Sequence, residues 1–446
     1  MRKINLLLAS ILIIPLTTRA QTGSSGSMSL QQCIDYALQN EPKMQNALYD
    51  EQIAKYKVKE VTAMGLPQLN GSIDVKDFIE LPTSLIPAEF FGGPPGTFIG
   101  LKFGTRYNTT GGLDASQLLF SSDYLVGLQA SKTYLELSKK ATLRTKIETA
   151  SAVGKAYYTV LVNQERMKLL DANVERLKKL ADDTKALNEN GFVEKVDLDR
   201  VTVAYNNLLV EKEKVQRLLD LGYTLLKFQM GMDQNATLTL TDKLEDIQFK
   251  PDISAEKFDY TKRVEYSLVQ TQLDLSMLQW KKDKFSYLPN LAMYGSFSYS
   301  AFGNEWRPLD AKTNWYPTAL IGVRLGVPIF SSGMRNYRVQ QSRLAVLKSQ
   351  NDLKFIQQTI DLDLNNAKIQ LTNASSTLEM QKKNIGLAED VYKTAKLKYD
   401  QGVGSNLEVM TAETALKEAQ TNYYSALFDA LIAKIDYDKA MGNLVK

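Results

Sequence analysis

Two short stretches of the sequence place a carboxylate six positions after a glycine. "NENGFVEKVDLDRV" (188–201) contains Asp197, and "YDQGVGSNLEVMTA" (399–412) contains Glu408. In each stretch the glycine interrupts a helical pattern and the acid lies in the first turn of the pattern that follows. A carboxylate in that position is favoured by the helix dipole, and a ring of such carboxylates in a pore would favour cations.

Local helix physics accounts for both stretches without a pore. Gly191 and Gly402 are predicted helix terminators. The "SNLE" segment predicts a capping box, in which the Ser405 side chain caps the helix and the Glu408 carboxylate accepts from the Ser405 amide. Asp197 lies in a first turn, where any acid is favoured. The two roles are compatible, and the sequence leaves both open.

The composition argues against catalysis. The 446 residues include no histidine and one cysteine, Cys33. Without an imidazole, Ser-His-Asp and Cys-His mechanisms and the histidine-dependent zinc and iron sites are excluded. The "GGPPG" loop at 92–96 lacks the lysine of a phosphate-binding loop. We therefore expect no enzyme activity and no cofactor or metal.

The N-terminal segment predicts secretion. Residues 1–20 combine Arg2 and Lys3, an apolar stretch and a final Ala20, which is typical of a signal peptide and too short for a membrane span. Residues 21–28 are predicted as a flexible leader. Removing 1–20 takes away three basic residues and no acid, so the net charge falls from +4 to +1. Nucleic-acid binding is therefore not expected, and the mature chain shows no apolar run that predicts a transmembrane helix.

The mature chain reads as two copies of one unit. Four landmarks recur in the same order; three of them are 210 or 211 residues apart, and the first pair is 222 apart. They are "LPQL" and "LPNL" (66–69 and 288–291), "FSS" (120–122 and 330–332), the turn glycines, and "MG" (230–231 and 441–442). A fixed period of this kind indicates internal duplication. We predict a first repeat at 29–231, an extended linker at 232–254 and a second repeat at 255–446.

Each unit is predicted as helix, strand, loop, strand, long helix, turn and helix. In the first copy these elements are a helix at 29–64, strands at 68–78 and 107–120, a helix at 122–190 and a helix ending at Met230. Apolar residues on the long helices step by three and four, which is the seam of a coiled coil. Examples are Leu170, Val174 and Leu177 before the first turn and Val409, Ala412 and Leu416 after the second. Nearly 70 helical residues would form a rod of about 100 Å, which is too long for a globular core.

The strands predict a membrane barrel shared between chains. Leu69, Gly71, Ile73 and Val75 alternate with polar residues, and comparable alternation recurs in the other strands. Such runs of about ten residues can cross an outer membrane, where open sheet edges are forbidden. Four strands cannot close alone, so we expect a homotrimer with a twelve-stranded barrel. A soluble antiparallel sheet packed on helices shows the same alternation and is the alternative.

The chain resembles the TolC-type outer-membrane efflux proteins over nearly its whole mature length. The resemblance rests on the duplication, "LPQL" and "LPNL", "FSS", and the C-terminal segment "YDQGVGSNLEVMTAETALKEAQTNYYSALFDALIAKIDYDKAMG". It implies a mixed α+β membrane protein: a homotrimer whose twelve-stranded β-barrel, with four strands from each chain, continues into a long periplasmic α-helical coiled-coil barrel. It also implies an outer-membrane exit duct for drugs, toxic compounds or proteins, working with a periplasmic adaptor and an inner-membrane pump. A soluble periplasmic coiled-coil scaffold or adaptor is the alternative function.

The resemblance also implies roles for residues at the helical turns. It makes Glu408, Asp197 and Tyr399 candidate gate or selectivity residues. It makes the turns candidates for adaptor docking, through Gly191, Gly402, Gly404 and Ser405. Two departures from the family pattern change this expectation. Gly404 replaces a basic residue, so the lock is expected to be looser or built differently. Thr411 replaces a further acid, so the inner ring is expected to carry less negative charge.

Overall fold

The structure is a computed structural model that describes residues 26–244, 258–307, 309–310 and 313–445. The predicted signal peptide, residues 21–25 of the leader and residues 245–254 of the linker lie outside the described residues. The helices are α1 (Leu30–Asn40), α2 (Pro42–Ala63), α3 (Ser122–Glu189), α4 (Lys195–Met230), α5 (Val264–Phe285), α6 (Met334–Asp400) and α7 (Asn406–Ala440). The strands are β1 (Gly26–Met28), β2 (Gln68–Asp77), β3 (Thr83–Pro87), β4 (Phe98–Lys102), β5 (Tyr107–Phe120), β6 (Leu238–Leu240), β7 (Asn290–Gly303) and β8 (Trp315–Gly326).

The order of the elements repeats, as the landmarks predict. The first half places α2, β2, β5, α3 and α4 in sequence, and the second half places α5, β7, β8, α6 and α7 in the same sequence. The long helices α3 and α6 have 68 and 67 residues. At about 1.5 Å per residue each is a rod of about 100 Å. The turns that follow them therefore lie at the end of the molecule remote from the sheet, which we call the distal end.

The sheet has four antiparallel strands in the order β2-β5-β7-β8. Its register aligns Leu69, Ala115, Gly295 and Ile321 on one face, followed two residues along by Gly71, Leu113, Phe297 and Ala319. The opposite face is mostly polar, with Asn70, Asp114, Ser296 and Leu320 in one row and Ser72, Gly112, Ser298 and Thr318 in the next. The predicted alternation is confirmed, and it divides the sheet into an apolar and a polar face.

The apolar face is open to the surroundings of the single chain. Ile73 is 69% exposed and Ile321 is 76% exposed. Both outer strands, β2 and β8, also have one edge without a partner strand among the described residues. An exposed apolar face and two open edges are costly in water, so the chain alone is an incomplete assembly.

The buried core lies among the helices. About halfway along α3, Cys33 and Ala37 of α1 pack with Val153 and Tyr157 of α3 and Leu226 of α4. Toward the distal end a second cluster joins α3, α4 and α7; its buried members are Met167, Leu170, Leu177, Leu180, Val201, Leu208, Val215 and Val409. We call it the distal cluster. The predicted seam residues Leu170, Leu177 and Val409 belong to it, which confirms the coiled-coil period in this region.

The structure corrects the prediction at three places. The opening helix predicted at 29–64 is two helices, because Pro42 cannot continue a helix with its preceding residue and instead begins α2. The leader is not flexible at Gly26–Met28, which pairs in parallel with β6 of the linker. The loop between β2 and β5 contains a β3–β4 hairpin, which its turn-rich sequence did not predict.

In the described residues, no helix combines the length and the apolar character that crossing a membrane requires.

Candidate functional site

The turn between α6 and α7, in the second repeat, requires glycine at two positions for different reasons. Gly402 has a φ of +74°, a left-handed conformation that favours glycine. The Gly402 amide donates to the Tyr399 carbonyl at 2.9 Å, and the Gly404 amide donates to the Lys398 carbonyl at 3.0 Å. These bonds fold the chain back on the end of α6. Because the turn is so tight, a Cβ at Gly404 would lie 2.9 Å from the Tyr399 nitrogen. A basic side chain cannot occupy that position without moving the turn.

Ser405 caps α7, but only half of the predicted capping box forms. The Glu408 amide donates to the Ser405 hydroxyl at 3.2 Å. Among the described residues, the Glu408 carboxylate makes no hydrogen bond back to the Ser405 amide and no ion pair. Glu408 is exposed. The exposed carboxylate therefore has no hydrogen-bond or ion-pair partner in the part of the chain that the structure describes.

Glu408 lies beside a groove between α6 and α7. The groove has a volume of about 690 Å³ and combines apolar side chains with three charged ones. The charged residues are Asp390, Lys398 and Glu408, and the apolar ones include Val391, Ala395, Leu407 and Ala412. An amphipathic surface next to a helical turn can accept another helix or loop.

The first-copy turn is similar in backbone and different in side chains. Gly191 has a φ of +75°, which repeats the geometry of the second turn. Glu194 is the N-cap of α4 and provides no side-chain hydrogen bond. Asp197 is half-buried and pairs with Arg200 at 3.2 Å. The two equivalent acids therefore differ: Asp197 has a cationic partner on its own helix and Glu408 does not.

Tyr399 links the second turn to the rest of the distal end by packing. Its half-buried ring lies against the distal cluster, together with Tyr392, Ala395 and Met410. Its hydroxyl makes no hydrogen bond within the part of the chain that the structure describes. The structure thus brings Tyr399, Gly402, Gly404 and Ser405 together in one turn, and Gly191 and Asp197 in the other.

A largely buried polar network near the distal end, with a partly exposed arginine, is not apparent from the sequence. The Arg176 guanidinium of α3 lies 3.6 Å from the Glu413 carboxylate of α7 and 5.3 Å from the ring centre of Tyr392 on α6. The Asn173 amide of α3 donates to the Gln420 side chain of α7 at 3.0 Å. The available signal was the seven-residue spacing of Asn406, Glu413 and Gln420 on α7.

Burial dominates the electrostatics of that network. Glu413 is 8% exposed. Desolvation raises the pKa of its carboxyl, while Arg176 and the Tyr392 hydroxyl act in the opposite direction and only partly offset the rise. The pKa of Tyr392 is also raised, first by burial and then by the charge of Glu413. The described residues contain no group of three or more cysteine, histidine or acidic side chains suited to holding a metal ion.

The fold and its two turns define a channel of the bacterial outer membrane: a membrane sheet with an apolar and a polar face, joined to helical hairpins about 100 Å long. The family model described as "Outer membrane efflux protein" matches residues 33–221 and 270–443. The chain belongs to the outer membrane efflux protein family.

Relatives and solved structures agree with that membership. The chain is 19% identical to the outer membrane protein TolC of Vibrio cholerae, over 75% of this chain and 76% of TolC. It is 23% identical to a probable efflux pump outer membrane protein, TtgC of Pseudomonas putida, over 76% of this chain and 69% of TtgC. Its fold is similar to the crystal structure of CusC, with a TM-score of 0.75, 15% identity, and coverage of 93% of this chain and 92% of CusC.

The protein is therefore a non-enzymatic efflux channel of the outer membrane, and its helical hairpins form a periplasmic domain. The distal end is the periplasmic end, because the helical hairpins that end there form the periplasmic domain.

Proposed function

We propose that three copies of the chain close the sheet into one barrel of twelve strands, continuous with a periplasmic tunnel of helices. The supporting observation is the four-stranded sheet with one apolar face and two open edges. Because the strands alternate in direction, β8 of one copy can pair antiparallel with β2 of the next. The apolar face then contacts lipid, and the polar face lines the lumen.

Barrel size favours three copies over two. A barrel of about eight strands has an interior that side chains fill, whereas larger barrels leave a channel. Two copies would give eight strands and three would give twelve. Glycine and serine on the polar face, such as Gly112, Ser296 and Ser298, keep that face shallow and open.

The channel is proposed to be the passive exit duct of a larger export system. A periplasmic adaptor and an inner-membrane pump would supply the substrate and the energy, because the chain itself has no nucleotide-binding motif. Its relatives include an efflux pump component and the alkaline protease secretion protein AprF of Pseudomonas aeruginosa. Small toxic compounds and secreted proteins are the two cargo classes that these relatives suggest.

The periplasmic end is proposed as the gate. Three copies would bring together six turns, with Glu408 and Asp197 as two sets of acids that favour cations. Tyr399, packed on the distal cluster, would help to hold the turns in place. The turns with Gly191, Gly402, Gly404 and Ser405 are proposed to dock the adaptor, with the groove beside Glu408 as part of that surface.

The domain division proposed for the chain remains the two repeats at 29–231 and 255–446, joined by the linker at 232–254. The matching order of strands and helices in the two halves supports it.

Membrane fractionation with a heat-modifiability assay tests the proposal. We expect the protein in the outer-membrane fraction, as an oligomer that migrates at the trimer mass and dissociates on heating. A soluble monomer in the periplasm would contradict it and would favour a periplasmic coiled-coil scaffold.

A further inference from the structure

The interface between α3 and α7 is polar at a regular interval near the periplasmic end. Asn406, Glu413 and Gln420 are all buried and are separated by seven residues, so they share one face of α7. From α3, Asn173 contacts Gln420 and the partly exposed Arg176 contacts Glu413. We call these five residues the polar seam. Buried polar residues at such positions of a coiled coil set its register at a cost in stability.

The polar seam is incompletely satisfied. Within the described chain, the Arg176 Nε, the Glu413 Oε2 and both side-chain polar atoms of Asn406 are buried without a hydrogen-bond partner. Buried polar atoms almost always have partners, because burying them unpaired costs free energy. Gln420 is the better satisfied end of the seam, since it accepts from Asn173 at 3.0 Å. The buried polar atoms without partners are therefore concentrated toward the turn between α6 and α7.

The seam also joins three of the four helices that meet there, α3, α6 and α7. Arg176 donates to Asn173 on its own helix, approaches Glu413 of α7, and lies over the ring of Tyr392 of α6. Separation of α7 from α3 would let water reach each of the unpaired atoms. Val409 and Leu416 are buried apolar residues on the same face of α7. Their exposure to water is unfavourable, because they form no hydrogen bonds with it.

We propose that the polar seam is the built-in weak point at which the two hairpins of one protomer separate when the periplasmic end opens. The five residues are positioning residues: they set how readily α7 separates from α3 and do not contact the exported substrate. The inference rests on the proposed function for its meaning as a gate, but the separation itself is a property of the folded chain.

Cysteine labelling measures the separation directly. Val409 is 1% exposed and lies in the distal cluster, so a thiol at this position reacts only when the seam opens. The probe is Val409→Cys in a Cys33→Ala background, reacted with N-ethylmaleimide in detergent-solubilised full-length protein. When opening and closing are fast, the labelling rate follows the open population.

The test variant makes the seam apolar, with Arg176→Leu and Glu413→Leu together. The double variant removes the buried Glu413 carboxylate, whose Oε2 atom has no partner among the described residues, together with its partly exposed neighbour Arg176. Unpaired buried polar atoms cost free energy, so we expect labelling of the probe to slow by about tenfold. Asn406→Leu alone removes the unpaired amide without leaving a buried charge, and it should slow labelling in the same direction. This second variant keeps the test decisive if the double variant fails to fold.

The matched control is Lys178→Leu with Glu418→Leu, which makes the same chemical change at exposed positions of the same two helices. It should leave the labelling rate unchanged. Unchanged or faster labelling in Asn406→Leu and in a folded apolar double variant would overturn the inference.

Conductance in planar bilayers separates this inference from the proposed function. Slower labelling together with lower open probability supports both. If channels form normally while the apolar variants label at the original rate, the inference about the polar seam is wrong and the proposed channel function stands. If labelling slows in a protein that forms no channel, the proposed function is wrong and the inference about the polar seam stands.

Discussion

Asp197 accepts a charge-assisted hydrogen bond from Arg200 at 3.2 Å, one turn along α4. Glu408, its counterpart in the second half of the chain, is exposed and has no cationic partner among the described residues. The two acids occupy equivalent turns in different electrostatic settings. If both sets line the same opening, the unpaired Glu408 carboxylates contribute more of the negative potential there.

This difference predicts an order of effects on ion selectivity. Glu408→Ala should lower the cation preference more than Asp197→Ala, and the double variant should lower it most. The measurement is the reversal potential of single channels in a salt gradient. Glu418→Ala removes an exposed acid elsewhere on α7 and is the control. If the double variant keeps the original selectivity, Glu408 and Asp197 stabilise only the first turns of their helices and do not contribute to ion selectivity.

The two helix starts predict opposite responses to cap substitutions. Ser405→Ala removes the side-chain cap of α7 and should cost about 1 kcal/mol locally, or about fivefold in exchange rate. Glu194→Ser supplies a missing cap to α4 and should gain a similar amount. Amide hydrogen exchange in the first turns of α7 and α4 measures both. Equal exchange in all three proteins would show that tertiary packing, not the cap, holds these turns.

The two faces of the sheet predict different tolerance of charge. Ile321→Arg places a cation on the apolar face, where arginine costs about 2–4 kcal/mol at the centre of a bilayer. Thr318→Arg is the matched change on the polar face of the same strand. We expect Ile321→Arg to reduce the heat-modifiable oligomer recovered from outer membranes and Thr318→Arg to preserve it. The opposite order would mean that the faces are assigned the wrong way round.

The buried Glu413 predicts a dependence of stability on pH. Its pKa in the folded chain is raised from the value of 4.5, mainly by burial. An acid with a raised folded pKa adds stability below its unfolded pKa, and this contribution is lost as the pH rises through the folded pKa. The groups that face it are Arg176 from α3 and Tyr392 from α6.

Glu413→Gln stays uncharged at every pH and removes this effect. Relative to that variant, the original protein should therefore lose stability as the pH rises above about 4.5 through the raised pKa. Thermal unfolding of both proteins across this range measures the difference, with Glu418→Gln as the exposed control. A difference that does not change with pH would show that Glu413 titrates as it does in the unfolded chain.

Periodicity made the strands and the long helices predictable. The strand predicted at 107–120 coincides with β5, and the one predicted at 68–78 differs from β2 by one residue. The helix predicted at 122–190 differs from α3 by one residue. The period of two in a strand and the period of three to four in a helix both follow from which residues must be buried. Both can therefore be recognised in the sequence without knowledge of the tertiary structure.

Features that depend on contacts between distant segments were not predictable in this way. The β1–β6 pair joins residues separated by about two hundred positions, and Gly26–Met28 has the composition of a linker. The Glu408 half of the capping box fails although its sequence motif is complete. Arg176 and Glu413 became partners only because α3 and α7 pack together. Their spacing on each helix indicates a seam but does not say which seams meet.

The current carried by single purified oligomers in a planar lipid bilayer tests the central claim most directly. A channel whose lumen is lined by the polar sheet face and the helical hairpins predicts discrete, cation-selective conductance steps from the intact trimer. It predicts no such steps from the heat-dissociated chain. An intact, correctly folded oligomer that inserts into the bilayer and conducts no ions under any applied voltage, before and after Glu408→Ala with Asp197→Ala, would contradict the account.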